Sequence, residues 1–167
     1  LVTFKTLDSV SAVRVRTILA ECDPKTTLII QSSKSGGTIE PTLVMKAVRT
    51  ILAETLPEEE IPSHLIAITD PGSELEARAK EEGWAKVFSG EPTVGGRYSA
   101  LSVFGLVPAA LVGIDIKKVM ESARNAEELC SADDLDNPAS NLAAFLFDNY
   151  KNGRDKFSFF TPKRGRV

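Results

Sequence analysis

The sequence predicts an α/β fold: a doubly wound parallel sheet with helices on both faces. Three observations carry this prediction. Short apolar runs alternate with amphipathic helical patterns through the first half of the chain. No hairpin dipeptide joins any two of those runs, so each connection is a crossover and the strands run parallel. The run Thr26–Gln31 is of the continuous apolar kind that parallel sheets bury on both faces.

The elements follow in order. Val2–Leu7 reads as a strand, and Asp8 or Ser9 then caps a helix reaching Cys22, with Val10, Val13, Ile18 and Leu19 inward. Asp23-Pro24-Lys25 breaks that helix ahead of the strand Thr26–Gln31. A long helix over Ile39–Leu56 carries Leu43, Val44, Ala47, Val48, Ile51 and Leu52 on one stripe, with Pro41 in its first turn. An acidic surface loop, Glu58-Glu59-Glu60, leads to the strand Leu65–Thr69. Asp70-Pro71-Gly72 turns the chain, and Ser73 with Glu76 forms a capping box for a helix ending at Gly83. Ala85–Phe88 is the next strand. Beyond the loop Ser89–Gly96 the chain becomes mostly helical, over Leu101–Val112, Asp115–Cys130 and Pro138–Tyr150. The second of these turns Ile116, Val119, Met120 and Ala123 inward, and Asp136 or Asn137 caps the third. Phe157–Thr161 reads as a last strand.

Composition narrows the function. The 167 residues suit one domain, and 20 basic against 23 acidic residues leave a net charge of −3, without the basic stripe that nucleic-acid binding needs. Cys22 and Cys130, in helical patterns, fit buried small hydrophobes in a reducing cytoplasm better than a disulfide framework. One histidine and no CxxC argue against a zinc or iron–sulfur site, and no apolar run is long enough for a membrane span. His64, at a strand entrance, reads as structural.

The stretch Ser32–Thr38, SSKSGGT, is the most informative part of the chain. It lies between an apolar strand and an amphipathic helix, where free backbone N–H groups and the helix dipole face an anion. Ser32, Ser33, Ser35 and Thr38 add hydroxyls, Lys34 a charge, and Gly36-Gly37 allow close approach to the backbone. The plainer alternative is an ordinary capped turn. It is not a P-loop, since the lysine precedes the glycines. A second motif, Thr93–Ser102, occupies the loop after the fourth expected strand, at the same carboxyl edge of the sheet. Gly95 and Gly96 permit backbone angles that direct Arg97 into the crevice there. Chemistry alone leaves Arg97 divided between that role and a surface ion pair, and gives Ser99 the cap of the next helix.

Gly95–Leu111, GGRYSALSVFGLVPAAL, closely resembles the signature of glucose-6-phosphate isomerases, and Ser32–Pro41, SSKSGGTIEP, resembles the phosphate loop of the same family. Its SKSGGT form is most similar to isomerase modules fused behind a transaldolase. The resemblance implies a sugar isomerase (SIS) domain over residues 1–152, with 153–167 forming a linker and the start of a second such domain. It implies reversible aldose–ketose isomerisation of glucose 6-phosphate and fructose 6-phosphate through an enediolate, in a cytoplasmic homodimeric enzyme of glycolysis and gluconeogenesis, without cofactor or metal. Ser33, Lys34, Ser35 and Thr38 would hold the phosphate. Gly95 and Gly96 would admit the sugar, and Arg97 would stabilise the enediolate. Glu40 would orient Arg97 or, equally well, simply favour the helix start.

Parts of the family pattern have no match here. These are a strand with a glycine–serine loop ahead of Val2, expected centrally in the sheet, and a Gln…Glu-Ser-x-Gly-Lys segment holding the proton-moving glutamate. His64 and Lys151 stand in the wrong places to substitute. The expectation is a fragment, inactive and not self-sufficient alone, that supplies the phosphate loop and the arginine loop. The rival is a non-catalytic SIS module that senses a sugar phosphate, against which the arginine loop argues. A dinucleotide domain fails for want of GxGxxG after a strand.

Overall fold

The computed structural model describes residues 2–158. They fall into two units with the boundary between Ile116 and Lys117. The first unit holds a three-stranded parallel sheet in the order β1 (Ile29–Ser32), β2 (Leu65–Thr69) and β3 (Lys86–Ser89). Ile29 pairs with Leu65, Ile66 with Lys86, and the ladders run to Ser32↔Ile68 and Thr69↔Ser89. All three strands therefore end at one edge, and the loops leaving them start side by side.

Successive strand residues face opposite ways. Ile29, Leu65, Ala67 and Val87 join a core with helices α1 (Ala12–Ala20), α2 (Ile39–Ala53) and α3 (Glu74–Glu81). Val15 and Leu19 of α1 meet Met45, Val48 and Leu52 of α2 and Leu75 and Ala79 of α3 there. Ile66 and Ile68 lie outside that cluster, on the face toward α4 (Val103–Leu111), which packs against β2. Leu65, Ile68 and Leu75 are fully enclosed, each contributing roughly 1.5–3 kcal/mol of burial. Glu82 fastens α2 to the turn after α3, accepting from Arg49 and, at 2.7 Å, from Trp84 Nε1. His64 is structural in kind: its Nδ1 lies 2.9 Å from the Thr27 carbonyl and ties the entrances of β1 and β2.

Several expectations need correction. Val2–Leu7 forms no strand, because no described strand runs beside it to supply a ladder. Its Leu7 packs on the core while the rest faces the cavity of about 1230 Å³ that also borders the outer edge of β1. Helix α1 begins later than expected, and the Val15–Leu19 pair sets its phase, so Val10 and Val13 are exposed. Leu43 is likewise exposed, and Met45 takes the place in the core. Thr26 belongs to a 3₁₀ turn, Pro24–Thr26, capped by Asp23, so β1 starts later than Thr26. The cysteines are not buried: Cys22 is half-buried and Cys130 exposed.

In the second unit, α5 (Ile116–Ser131) and α6 (Pro138–Lys151) are joined through one buried side chain. Asn137 Nδ2 donates to the carbonyls of Cys130 and Ala132, and its Oδ1 accepts from the amides of Ala139 and Ser140. It thereby closes one helix and opens the next. Neither helix has a buried residue of its own, and Met120, expected inward, is exposed. The last strand expected, Phe157–Thr161, extends outside the described residues, and Phe157 and Ser158 are irregular.

At the start of α3, Ser73 Oγ accepts from the Glu76 amide at 3.0 Å, while the Glu76 carboxylate pairs with Lys80 and accepts from the Gly72 amide. Lys80 first, then that amide, holds Glu76 below its ordinary pKa of 4.5. A depressed carboxylate stabilises the fold fully above the ordinary pKa and loses that contribution as pH falls through the depressed one. Glu76→Gln should therefore flatten the acid limb of stability, read as thermal midpoints between about pH 6 and pH 3. An unchanged acid limb would remove Glu76 from the account.

Candidate functional site

The three strand ends continue into loops that remain bonded to one another. The Ser33 amide donates to the Ile68 carbonyl at 3.0 Å, the Asp70 amide to the Lys34 carbonyl at 3.0 Å, and the Gly90 amide to the Thr69 carbonyl at 2.7 Å. Thr69 Oγ1 donates to the same Lys34 carbonyl at 3.1 Å and lies 2.6 Å from Ser73 Oγ. The loops after β1, β2 and β3 are thus a continuation of the sheet at its carboxyl edge.

Lys34 crosses all three. Its ammonium donates to Asp70 Oδ1 at 2.9 Å and to the Glu91 carbonyl at 3.0 Å, and it stands 5.3 Å from the centre of the Phe104 ring. The pair is largely enclosed, with Lys34 24% and Asp70 19% exposed. Glycine is needed beside it. A Cβ on Gly90 would come within 2.5 Å of Asp70 Oδ1 and 2.6 Å of Phe104. The Glu91 carboxyl is held below its usual range first by the backbone amide and hydroxyl of Thr93, with Lys34 adding a smaller effect.

The rest of the SSKSGGT loop faces outward. Ser35, Thr38 and Glu40 are exposed and Ser33 is half-buried, its Oγ accepting from the Gly36 amide at 3.3 Å. Thr38 is the first boundary residue of α2, yet no side chain caps that helix. Among the described residues, the amides of Lys34, Ser35, Gly37 and Thr38 make no hydrogen bond. An uncapped helix start with unbonded amides and hydroxyls around it suits a phosphate-sized anion. Gly36 is the fixed point of this loop. It is buried, has φ +71°, and a Cβ there would lie 2.5 Å from the Leu75 amide nitrogen.

Gly95 leads into a 3₁₀ turn, Gly96–Leu101, that carries Arg97. Position 96 lies against the phosphate loop: a Cβ there would be 3.9 Å from Lys34 Cδ. Arg97 itself is exposed and makes no hydrogen bond or ion pair with the described residues. Glu40 and Arg97 make no ion pair with each other; Glu40 borders the cavity beside β1. The helix after the turn is capped by Ser102, whose Oγ accepts from the Phe104 amide at 3.3 Å, and not by Ser99, whose Oγ donates to the Gly96 carbonyl. Asp70, Thr69 and Gly90 lie in none of the motifs, and Phe104 lies in the Gly95–Leu111 motif without a role assigned to it there. Asp70 showed only as turn punctuation, and its register opposite Lys34 is a tertiary fact.

A family model described as phosphoglucose isomerase matches residues 2–157. A glucose-6-phosphate isomerase of Synechococcus sp. (strain JA-2-3B'a(2-13)) is 45% identical over 118 residues, covering 70% of this chain and 22% of its own length. One of Parasynechococcus marenigrum (strain WH8102) is 37% identical over 157 residues, covering 91% of this chain and 28% of its own. The crystal structure of a hypothetical protein from Thermus thermophilus superposes with TM-score 0.80 at 35% identity, over 84% of this chain and 34% of that one. A glucose-6-phosphate isomerase structure from Chlamydia trachomatis gives TM-score 0.53 at 29% identity, over 60% of this chain and 19% of that one. The chain spans about a quarter of the length of such curated relatives. Among the described residues no helix is long and apolar enough to cross a membrane.

The Gly36→Ala variant should lose about 1–3 kcal/mol of stability, because a left-handed backbone and a contact with main chain are both strained by a methyl group. Denaturant unfolding checks it, and a loss below a few tenths would mean that the loop relaxes freely.

Proposed function

The chain belongs to the phosphoglucose isomerase family, and from that premise we propose that it supplies the phosphate loop and the arginine loop of a glucose-6-phosphate isomerase. The reaction is the reversible interconversion of glucose 6-phosphate and fructose 6-phosphate, in which a proton moves between C1 and C2 through an enediolate. The observation that supports this best is the nearness of the GGRYSA turn to Lys34, where a Cβ at position 96 would lie 3.9 Å from Cδ, beside a helix start whose amides are unbonded. One loop then meets the phosphate while the other meets the opposite end of the same sugar.

In this reading the phosphate is held by the hydroxyls of Ser33, Ser35 and Thr38 and by the amides of that loop, Lys34 included. The dipole of α2 favours the dianion. Gly95 and Gly96 leave room for the sugar, and the Arg97 guanidinium faces the oxygen on which enediolate charge develops. Its lack of an ion-pair partner among the described residues leaves it available for that charge. A guanidinium preorganised in this way supplies on the order of 3–4 kcal/mol in the transition state. Glu40 adds a carboxylate near the helix start. Among the described residues no titratable side chain is bonded to the Arg97 turn, and this reading assigns the base that moves the proton to none of them.

Soaking crystals with fructose 6-phosphate should place its phosphate against Ser33, Lys34, Ser35 and Thr38, and a phosphate bound elsewhere with this loop empty would overturn the reading. In the full-length protein, Arg97→Lys should lower kcat by about 10²-fold or more with a much smaller rise in KM, because lysine keeps the charge and loses the planar fork. A rise in KM alone would make Arg97 a ground-state binding residue.

A further inference from the structure

Asp70 stands outside both motifs, yet its carboxylate holds the ammonium that joins them. Lys34 Nζ meets Asp70 Oδ1 and the Glu91 carbonyl and is covered by Phe104, so its donors are directed away from the hydroxyls of Ser33, Ser35 and Thr38. The contact is built from all sides. The Asp70 amide donates to the Lys34 carbonyl, and the missing Cβ of Gly90 leaves space for the carboxylate oxygen. The stem of Lys34 passes beside position 96, where a Cβ would lie 3.9 Å from Lys34 Cδ.

We propose that Asp70 is a positioning residue of the sugar-phosphate site, anchoring Lys34 as a strut that sets the spacing between the phosphate loop and the Arg97 turn. This rests on the sugar-phosphate reading given above. The lysine of the phosphate loop then acts on the sugar end of the ligand through geometry, while amides and hydroxyls hold the phosphate. A ligand reaching only the phosphate loop is indifferent to the strut. A ligand spanning both loops depends on it.

That difference is the test. Inorganic phosphate and fructose 6-phosphate are titrated into the unaltered full-length protein and its Asp70→Asn, Asp70→Glu and Asp70→Asn/Lys34→Met variants, with amide spectra recorded throughout. Asp70→Asn should keep inorganic phosphate within about threefold and weaken fructose 6-phosphate by about tenfold or more, the scale of one charged hydrogen bond. Asp70→Glu, which keeps the charge, should recover part of that loss. The double variant should lose no more than Asp70→Asn alone, since both act through one contact. Equal weakening of both ligands, no weakening of either, no recovery by glutamate, or a larger loss in the double variant than in Asp70→Asn would overturn the proposal. If Asp70→Asn fails to fold, the double variant carries the comparison, and the same selective loss is expected. Failure of the unaltered full-length protein to bind either ligand would instead overturn the site reading, and the positioning role with it.

Discussion

Strand β2 has a neighbour along each edge and helices over both faces, so all five of its residues are buried. Every ladder group on it must be paired within the protein, because an orphaned amide or carbonyl there would cost about 1–3 kcal/mol. This requirement does not stop at the strand's end. Thr69, fully buried, directs its hydroxyl to Lys34 and Ser73 and its carbonyl to Gly90, and so transfers the demand for partners to the loops on either side. The candidate site is the place where the sheet's pairing runs out.

Seen this way, Lys34 has two parts with different work. Its carbonyl belongs to the extended ladder, and its ammonium closes the far side of the same loops through Asp70 and Glu91. A largely enclosed ion pair gains little net stability over apolar packing, because both charges must leave water. What it supplies is register: one length of side chain spans three loops. The glycines around it have separate reasons. Gly36 answers to a left-handed backbone over α3, and Gly90 to the proximity of a carboxylate and an aromatic ring.

Those elements whose signals are local were legible in the sequence. The strand Leu65–Thr69 has the bounds its apolar run suggests, Ser73 caps α3, and Asn137 caps α6 ahead of Pro138. The alternation of runs also led to the parallel α/β class. Signals that depend on a partner were not legible. Val2–Leu7 has the composition of a strand, but a strand exists only beside another. Ser99 and Ser102 are equally good caps in one dimension, and the 3₁₀ turn between them decides. The two glycine loops of the site were visible from hydroxyls, glycines and charge. Asp70 was not, because its partner lies 36 positions upstream and only the β1–β2 register brings them together.

The same pairing divides the amides of these loops into two sets. The amides of Ser33, Asp70 and Gly90, at the roots of the three loops, are bonded to carbonyls of the sheet or its extension. They can exchange with solvent only when the sheet opens, at a cost near the global one. The amides of Ser35, Gly37 and Thr38, a few residues further out, have no such bond. In the proposed function, a ligand settling on them would order a rim of a few residues over a bonded base. The entropy lost on such binding would be confined to that rim, most of the loop's ordering having been met in folding.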